Sequence, residues 1–251
     1  MPRIAKAYVA LVICAGIAVL FVAAGSWSCS SLRQFLTFLG LAAVSSTLKV
    51  RIPGIEGTMS PNFVFLVLGM AFCSFSEVIA VTLVAALVQS LWTAKQLRVV
   101  QVTFNAAALV LGASVAYQAS YVLLGPSAVN APVALVILAG TLYLPLNAAL
   151  VSAIIGLVDG TPLIQVARIC YRYVFPYFAG GIVFAGLVSG AFSRPTVWRG
   201  AILLLPVIVL GYLYSLSWTV AVSPAPIQSG RVEDEEFAKV SSRLPSTSPL
   251  I

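Results

Sequence analysis

Some seven apolar runs, each about 20 residues or longer, follow one another along this chain with short polar links between them. That succession excludes a water-soluble fold. Charged residues make up only 8% of the 251 residues and hydrophobic ones 61%, whereas a soluble domain carries roughly 25% charged residues. There is too little polar surface to cover a soluble core, and the mean hydropathy of +1.05 agrees. With lipid as the solvent, each run becomes a helix, because a helix satisfies its backbone hydrogen bonds within one segment. The expected fold is an all-α polytopic transmembrane bundle of about eight passes, in the range of about six to nine.

The net charge is +7 and histidine is absent. The cations sit singly or in pairs between apolar runs, as topology determinants do. A nucleic-acid face would cluster them with aromatics, so no nucleic-acid partner is expected. The lack of histidine removes the commonest general base and metal ligand. Cys14, Cys29, Cys73 and Cys170 have neither metal-ligand nor redox-motif spacing. Cys14 and Cys73 fall in apolar runs, where a thiol behaves as a small hydrophobe. With no nucleophile–base pair or phosphate loop, neither catalysis nor a metal or cofactor is expected.

Arg3 and Lys6 precede the apolar run Ala7–Gly25. The run is long and no clean small-x-small cleavage site precedes Trp27, so it reads as a retained first helix rather than a cleaved signal. A second helix spans Leu32–Leu48 and is prevented from continuing by Pro53 and Gly54. Asn62–Trp92 is apolar for 31 residues, and Cys73-Ser74-Phe75-Ser76-Glu77 supplies a tight turn between two short arms. In Gln101–Gly125, Ala108, Gly112 and Ala116 form a small-residue ridge that lets another helix approach. Val133–Val158 carries Pro145 in its middle and reads as one bent pass, ended by the turn Asp159-Gly160-Thr161-Pro162. Leu163–Tyr173, with Arg168 and Arg172, reads as an interfacial segment. Phe175–Phe192, with Gly186 and Gly190 as a close-packing pair, and Ala201–Val222 complete the bundle. The membrane domain is thus expected over 1–222. Residues 223–251 are rich in Ser and Pro and hold four of the seven acidic residues, which reads as a disordered cytoplasmic tail.

Charge counting orients the bundle. With eight passes and a cytoplasmic N-terminus, eleven cations fall inside, and Arg33, Arg194 and Arg199 fall outside. The positive-inside rule selects this arrangement, with both termini on the cytoplasmic side of a bacterial inner membrane. A competing pattern also runs through the chain. Residues 62–125 and 132–192 each read as an apolar run broken midway, a polar link and a small-residue-rich helix. That is the plan of an inverted repeat, with broken helices around 62–92 and 132–158.

The longest polar interruption before the tail is 48–62, which contains Lys49, Arg51, Glu56, Thr58, Ser60 and Asn62 among two prolines and two glycines. A chain this apolar keeps such a segment only where water or a partner satisfies it. Its cations, together with glycines that let backbone N–H groups approach, suit a small anionic ligand. Glu77, inside an apolar run, reads either as a functional intramembrane acid or as a turn residue facing water. Asn105 is a further candidate. With Asn147, Gln89 and Gln101 it either lines a polar pocket or bonds helices together.

The order Leu48-Lys49-Val50-Arg51-Ile52-Pro53-Gly54, Gly57-Thr58-Met59-Ser60, the broken apolar pair and Phe104-Asn105-Ala106-Ala107 resembles bacterial membrane-embedded sensor modules. These are the MASE-like input domains placed ahead of diguanylate cyclase or HD-GYP phosphodiesterase domains. The resemblance covers roughly Leu32 to Val222. It implies output through a cytoplasmic signalling partner, because only 29 residues follow Val222 here. The loop and short helix pair are also similar to substrate-binding subunits of energy-coupling-factor vitamin transporters, whose loop closes over the ligand. That similarity implies a transporter ATPase as partner. The expectation is a non-enzymatic membrane sensor or binding module for a small ligand. The alternatives are a transporter substrate-binding subunit and a structural assembly partner.

Overall fold

The computed structural model describes residues 2–29, 31–48, 50–51, 58–92, 99–160, 175 and 178–191. Six helices come first: α1 (Arg3–Gly25), α2 (Leu32–Thr47), α3 (Asn62–Phe72), α4 (Phe75–Leu91), α5 (Val99–Leu124) and α6 (Pro132–Asp159). A seventh, α7, covers Phe178–Ala191. Between α2 and α3, β1 (Val50–Arg51) pairs antiparallel with β2 (Thr58–Met59), with Arg51 opposite Thr58. The expected interfacial segment 163–173, the last helix 201–222 and the tail 223–251 lie outside the described residues.

Three stretches are long and apolar enough to cross a membrane: Arg3–Gly25, Val99–Asn130 and Pro132–Val158. The others are shorter. At 11 residues, α3 is ~16 Å long against a hydrocarbon core of ~30 Å. It is also apolar all round, which marks an interior helix, and Phe63, Val64, Leu66, Val67, Leu68 and Met70 are all buried. Helices α2, α4 and α6 pack around it. Phe63 meets Phe178 of α7 with ring centroids 4.1 Å apart. The short helix is the core of the bundle.

Side-chain hydrogen bonds between helices fix their directions. Gln34 near the start of α2 bonds Phe72 at the end of α3 at 3.0 Å, and Asn62 at the start of α3 bonds Ser46 near the end of α2 at 3.0 Å. Asn62 also reaches Gln89 near the end of α4 at 3.1 Å. Tyr8 at the start of α1 donates to the Leu150 carbonyl late in α6 at 3.0 Å. Helices α2 and α3, α3 and α4, and α1 and α6 therefore run antiparallel.

The break in 62–92 falls at Cys73, whose backbone is extended, and Ser74 opens α4 as its N-cap. The single pass expected over 133–158 is one helix, α6, which runs from Pro132 to Asp159 with Pro145 inside it; the broken helix there that the repeat pattern required is corrected. Proline removes one intrahelical bond, but opening the helix in lipid would strip several more backbone groups of partners. The inverted-repeat pattern fails with it. Three helices occupy 62–125, whereas α6 and α7 are the helices described within 132–192. A left-handed Gly160, with φ +68°, ends α6 at the expected turn.

Small residues set the closest crossings. A Cβ on Gly16 of α1 would lie 2.6 Å from the Ala107 Cβ and 2.8 Å from the Ala107 Cα of α5. A Gly112 Cβ would meet Tyr143 of α6 at 3.4 Å, and a Gly190 Cβ would meet Val133 at 3.5 Å. Gly40 has nothing within 4 Å of the equivalent position. We expect Gly16→Ala to destabilise the protein by about 1–3 kcal/mol through overpacking, while Gly40→Ala leaves stability unchanged or slightly raised. Apparent melting temperatures in detergent check both.

Candidate functional site

The polar loop between α2 and α3 is anchored at its base. Ser46, fully buried in the last turn of α2, serves as the hub. The Ser60 hydroxyl donates to the Ser46 carbonyl at 3.1 Å, and Asn62 Nδ2 donates to the Ser46 hydroxyl at 3.0 Å. Ser46 in turn donates to the Ala42 carbonyl at 2.7 Å, and Asn62 Nδ2 also reaches Gln89 Oε1 at 3.1 Å. Ser60 and Asn62 are both buried. Apolar surroundings make such a node costly to leave half-bonded.

The expected site residues that are described do not form one cluster. Ser60 and Asn62 belong to this node, and Arg51 and Thr58 face each other across the strand pair above it. Lys49 and Glu56 lie outside the described residues. Asn105, half-buried on α5, makes no side-chain hydrogen bond to the described residues. Its neighbours Phe104 and Ala107 pack against α1, apart from the core around α3. Gln89 bonds helices together through Asn62, whereas Asn147 and Gln101 join no described hydrogen bond.

Glu77 sits at the other end of α3 and α4. It does not face water, being only 1% exposed. Its Oε2 accepts from the Ser74 N–H at 2.7 Å while the Ser74 hydroxyl accepts from the Glu77 N–H at 3.4 Å, a reciprocal cap on the first turn of α4. The link between α1 and α2 closes over this turn: Ser74 Oγ donates to Ser28 O at 2.6 Å and Ser76 Oγ donates to Ser26 O at 2.9 Å. Glu77 Oε1 is buried with no hydrogen-bond partner among the described residues.

Sequence reasoning passed over Ser46. The signal was the hydroxyl run Ser45-Ser46-Thr47 closing an otherwise apolar helix just before Lys49. It also passed over Gln34, the donor to the end of α3. An apolar groove of about 300 Å³, lined by Val84, Leu87, Val88, Leu91 and Trp92, runs along the last turns of α4. Those side chains bring no charge to it, so it does not suit an anion. No group of three His, Cys, Asp or Glu residues able to hold a metal occurs among the described residues. The chain matches no family model, no curated protein and no solved structure.

Replacing Asn62 by Ala leaves the Ser46 hydroxyl and the Gln89 carbonyl oxygen without their donor. We expect a loss of about 1–3 kcal/mol and faster amide exchange at Thr58–Ser60. Hydrogen-exchange mass spectrometry in lipid discs reads the second effect.

Proposed function

We propose that the chain is an integral membrane module that binds a small anionic ligand at the 49–62 loop and signals through a partner protein. The observation that carries this reading is the anchored loop. Both Ser60 and Asn62, which follow the loop's second strand, are tied to Ser46, which precedes its first. Lys49, Arg51 and Glu56 therefore belong to a segment with a fixed base. A ligand that moves the segment acts on the ends of α2, α3 and α4 together. Anions suit the site because its two cations are accompanied by backbone N–H groups at Gly54 and Gly57. The reading is non-enzymatic.

In this reading the chain makes about eight passes through a bacterial inner membrane with both termini cytoplasmic. The eleven-to-three cation bias that goes with this count supports it. Likeness to MASE-like input domains favours a cytoplasmic signalling protein as partner. The transporter alternative loses one of its docking surfaces. The Ala108, Gly112 and Ala116 ridge is buried within the chain, so an ATPase pair has to dock elsewhere.

The test is native mass spectrometry of protein in lipid discs, followed by a thermal-shift screen of small carboxylates and phosphates. A retained or stabilising anion is expected, weakened about tenfold or more by Arg51→Ala with the melting temperature of the ligand-free protein unchanged. Co-purifying ATPase subunits overturn the sensor reading in favour of transport. A protein that no anion stabilises overturns ligand binding and favours the structural assembly role.

A further inference from the structure

The end of the bundle opposite the strand pair brings two thiols to one carboxylate. Cys29 is exposed in the link between α1 and α2, and Cys73 is buried between α3 and α4. Their neighbours are bonded to each other, since the Ser74 hydroxyl donates to the Ser28 carbonyl at 2.6 Å. The residue before Cys29 therefore touches the residue after Cys73. A second bond, from Ser76 to Ser26 at 2.9 Å, runs the link alongside the turn.

Glu77 belongs to the same turn, next to Ser76, whose hydroxyl bonds the α1–α2 link. Hydrogen bonding to Glu77, then desolvation and the carboxylate charge, push the Cys29 thiol up, while the Ser31 backbone lowers it. Cys73 is buried at the same turn. Among the described residues no donor reaches ordinary hydrogen-bonding geometry at Glu77 Oε1, so the approach of Cys29 to the carboxylate is loose.

We propose that Cys29 and Cys73 form a reversible disulfide, and that Glu77 is a positioning residue that keeps the pair reduced until a small disulfide oxidant reaches the exposed Cys29. The Cys29 thiolate attacks one sulfur of the oxidant, breaking its S–S bond and expelling one thiolate. The Cys73 thiolate then attacks Cys29 Sγ, forming the Cys29–Cys73 bond and expelling the second thiolate. Two protein thiols lose two electrons and two protons, and the oxidant is reduced to two thiols. The product staples the α1–α2 link to the α3–α4 turn, where two serine hydrogen bonds hold them in the reduced protein. Because the thiolate is the nucleophile, the negative charge of Glu77 slows both steps.

The experiment uses full-length protein in lipid discs carrying Cys14→Ser and Cys170→Ser, treated with oxidised glutathione at pH 7 and pH 9. Acid quenching, digestion and mass spectrometry follow. The expected product is a peptide pair linked through Cys29 and Cys73, formed at least about tenfold faster at pH 9. It is absent in Cys29→Ser. Glu77→Gln keeps the cap and removes the charge, so it accelerates linkage at either pH. A lasting glutathione adduct on Cys29 with Cys73 free overturns the pair. Linkage equally fast in detergent-denatured protein shows that the fold does not bring the sulfurs together, and overturns it too. An unchanged rate in Glu77→Gln overturns the role of the carboxylate.

Discussion

A helix that ends inside an apolar medium must find partners for its last carbonyls and first N–H groups, and α3 depends on this more than any other element. It is too short to carry both ends to water. A helix leaves its last carbonyls without intrahelical donors, and each unsatisfied group in lipid costs several kcal/mol. The C-terminal end of α3 is served by three donors. The Cys73 N–H bonds Gly69 O at 2.7 Å, the Gln34 side chain bonds Phe72 O at 3.0 Å, and the Tyr121 hydroxyl bonds Met70 O at 3.3 Å. These bonds draw α2 and α5 onto α3, and the surrounding packing follows. At its start Pro61 has no N–H to satisfy and its carbonyl accepts from the Val64 N–H at 3.2 Å, while Ser60 and Asn62 donate to Ser46 and so tie that end to α2.

Much of the helix framework was legible because apolar run length and turn chemistry are local. Pro53 and Gly54 after α2, Ser74 before α4 and Gly160 after α6 each act within a few residues. What was not legible is pairing. Asn62 stood out as polar, but its partner Ser46 lies in another helix and reads on its own as an ordinary hydroxyl. Glu77 could be read as facing water because its burial comes from residues 26–28, which cross over it from a distant part of the chain. Around Pro145 the single pass was legible, whereas the break that the repeat pattern placed there was not real. A single proline is a strong local signal, and the length of apolar helix on either side of it decides whether the helix survives.

Small-residue spacing was informative about closeness and silent about the partner. Gly112 faces Tyr143 of α6, Gly16 faces Ala107 of α5, and Gly186 and Gly190 face Ile137 and Val133. The same ridge that would suit docking of another subunit is therefore used to build the fold. In lipid there is no hydrophobic drive between helices, so these close approaches supply cohesion that polar nodes alone do not. They also bear on function, because a partner must use what remains, including the α4 groove and the exposed faces of α1 and α2.

The two polar nodes stand at opposite ends of the same helix pair. One ties the start of α3 to the ends of α2 and α4. The other ties the turn between α3 and α4 to the link that enters α2. A ligand shifts an equilibrium only by the difference in its affinity for two arrangements. Under the proposed reading that difference resides in Asn62, which either holds Ser46 and Gln89 together or releases them. Release frees the start of α3 while its other end stays held by Gln34 and Tyr121. The helix is buried on nearly every side, so the displacement is carried by α2 and α4, the neighbours that share both nodes with it.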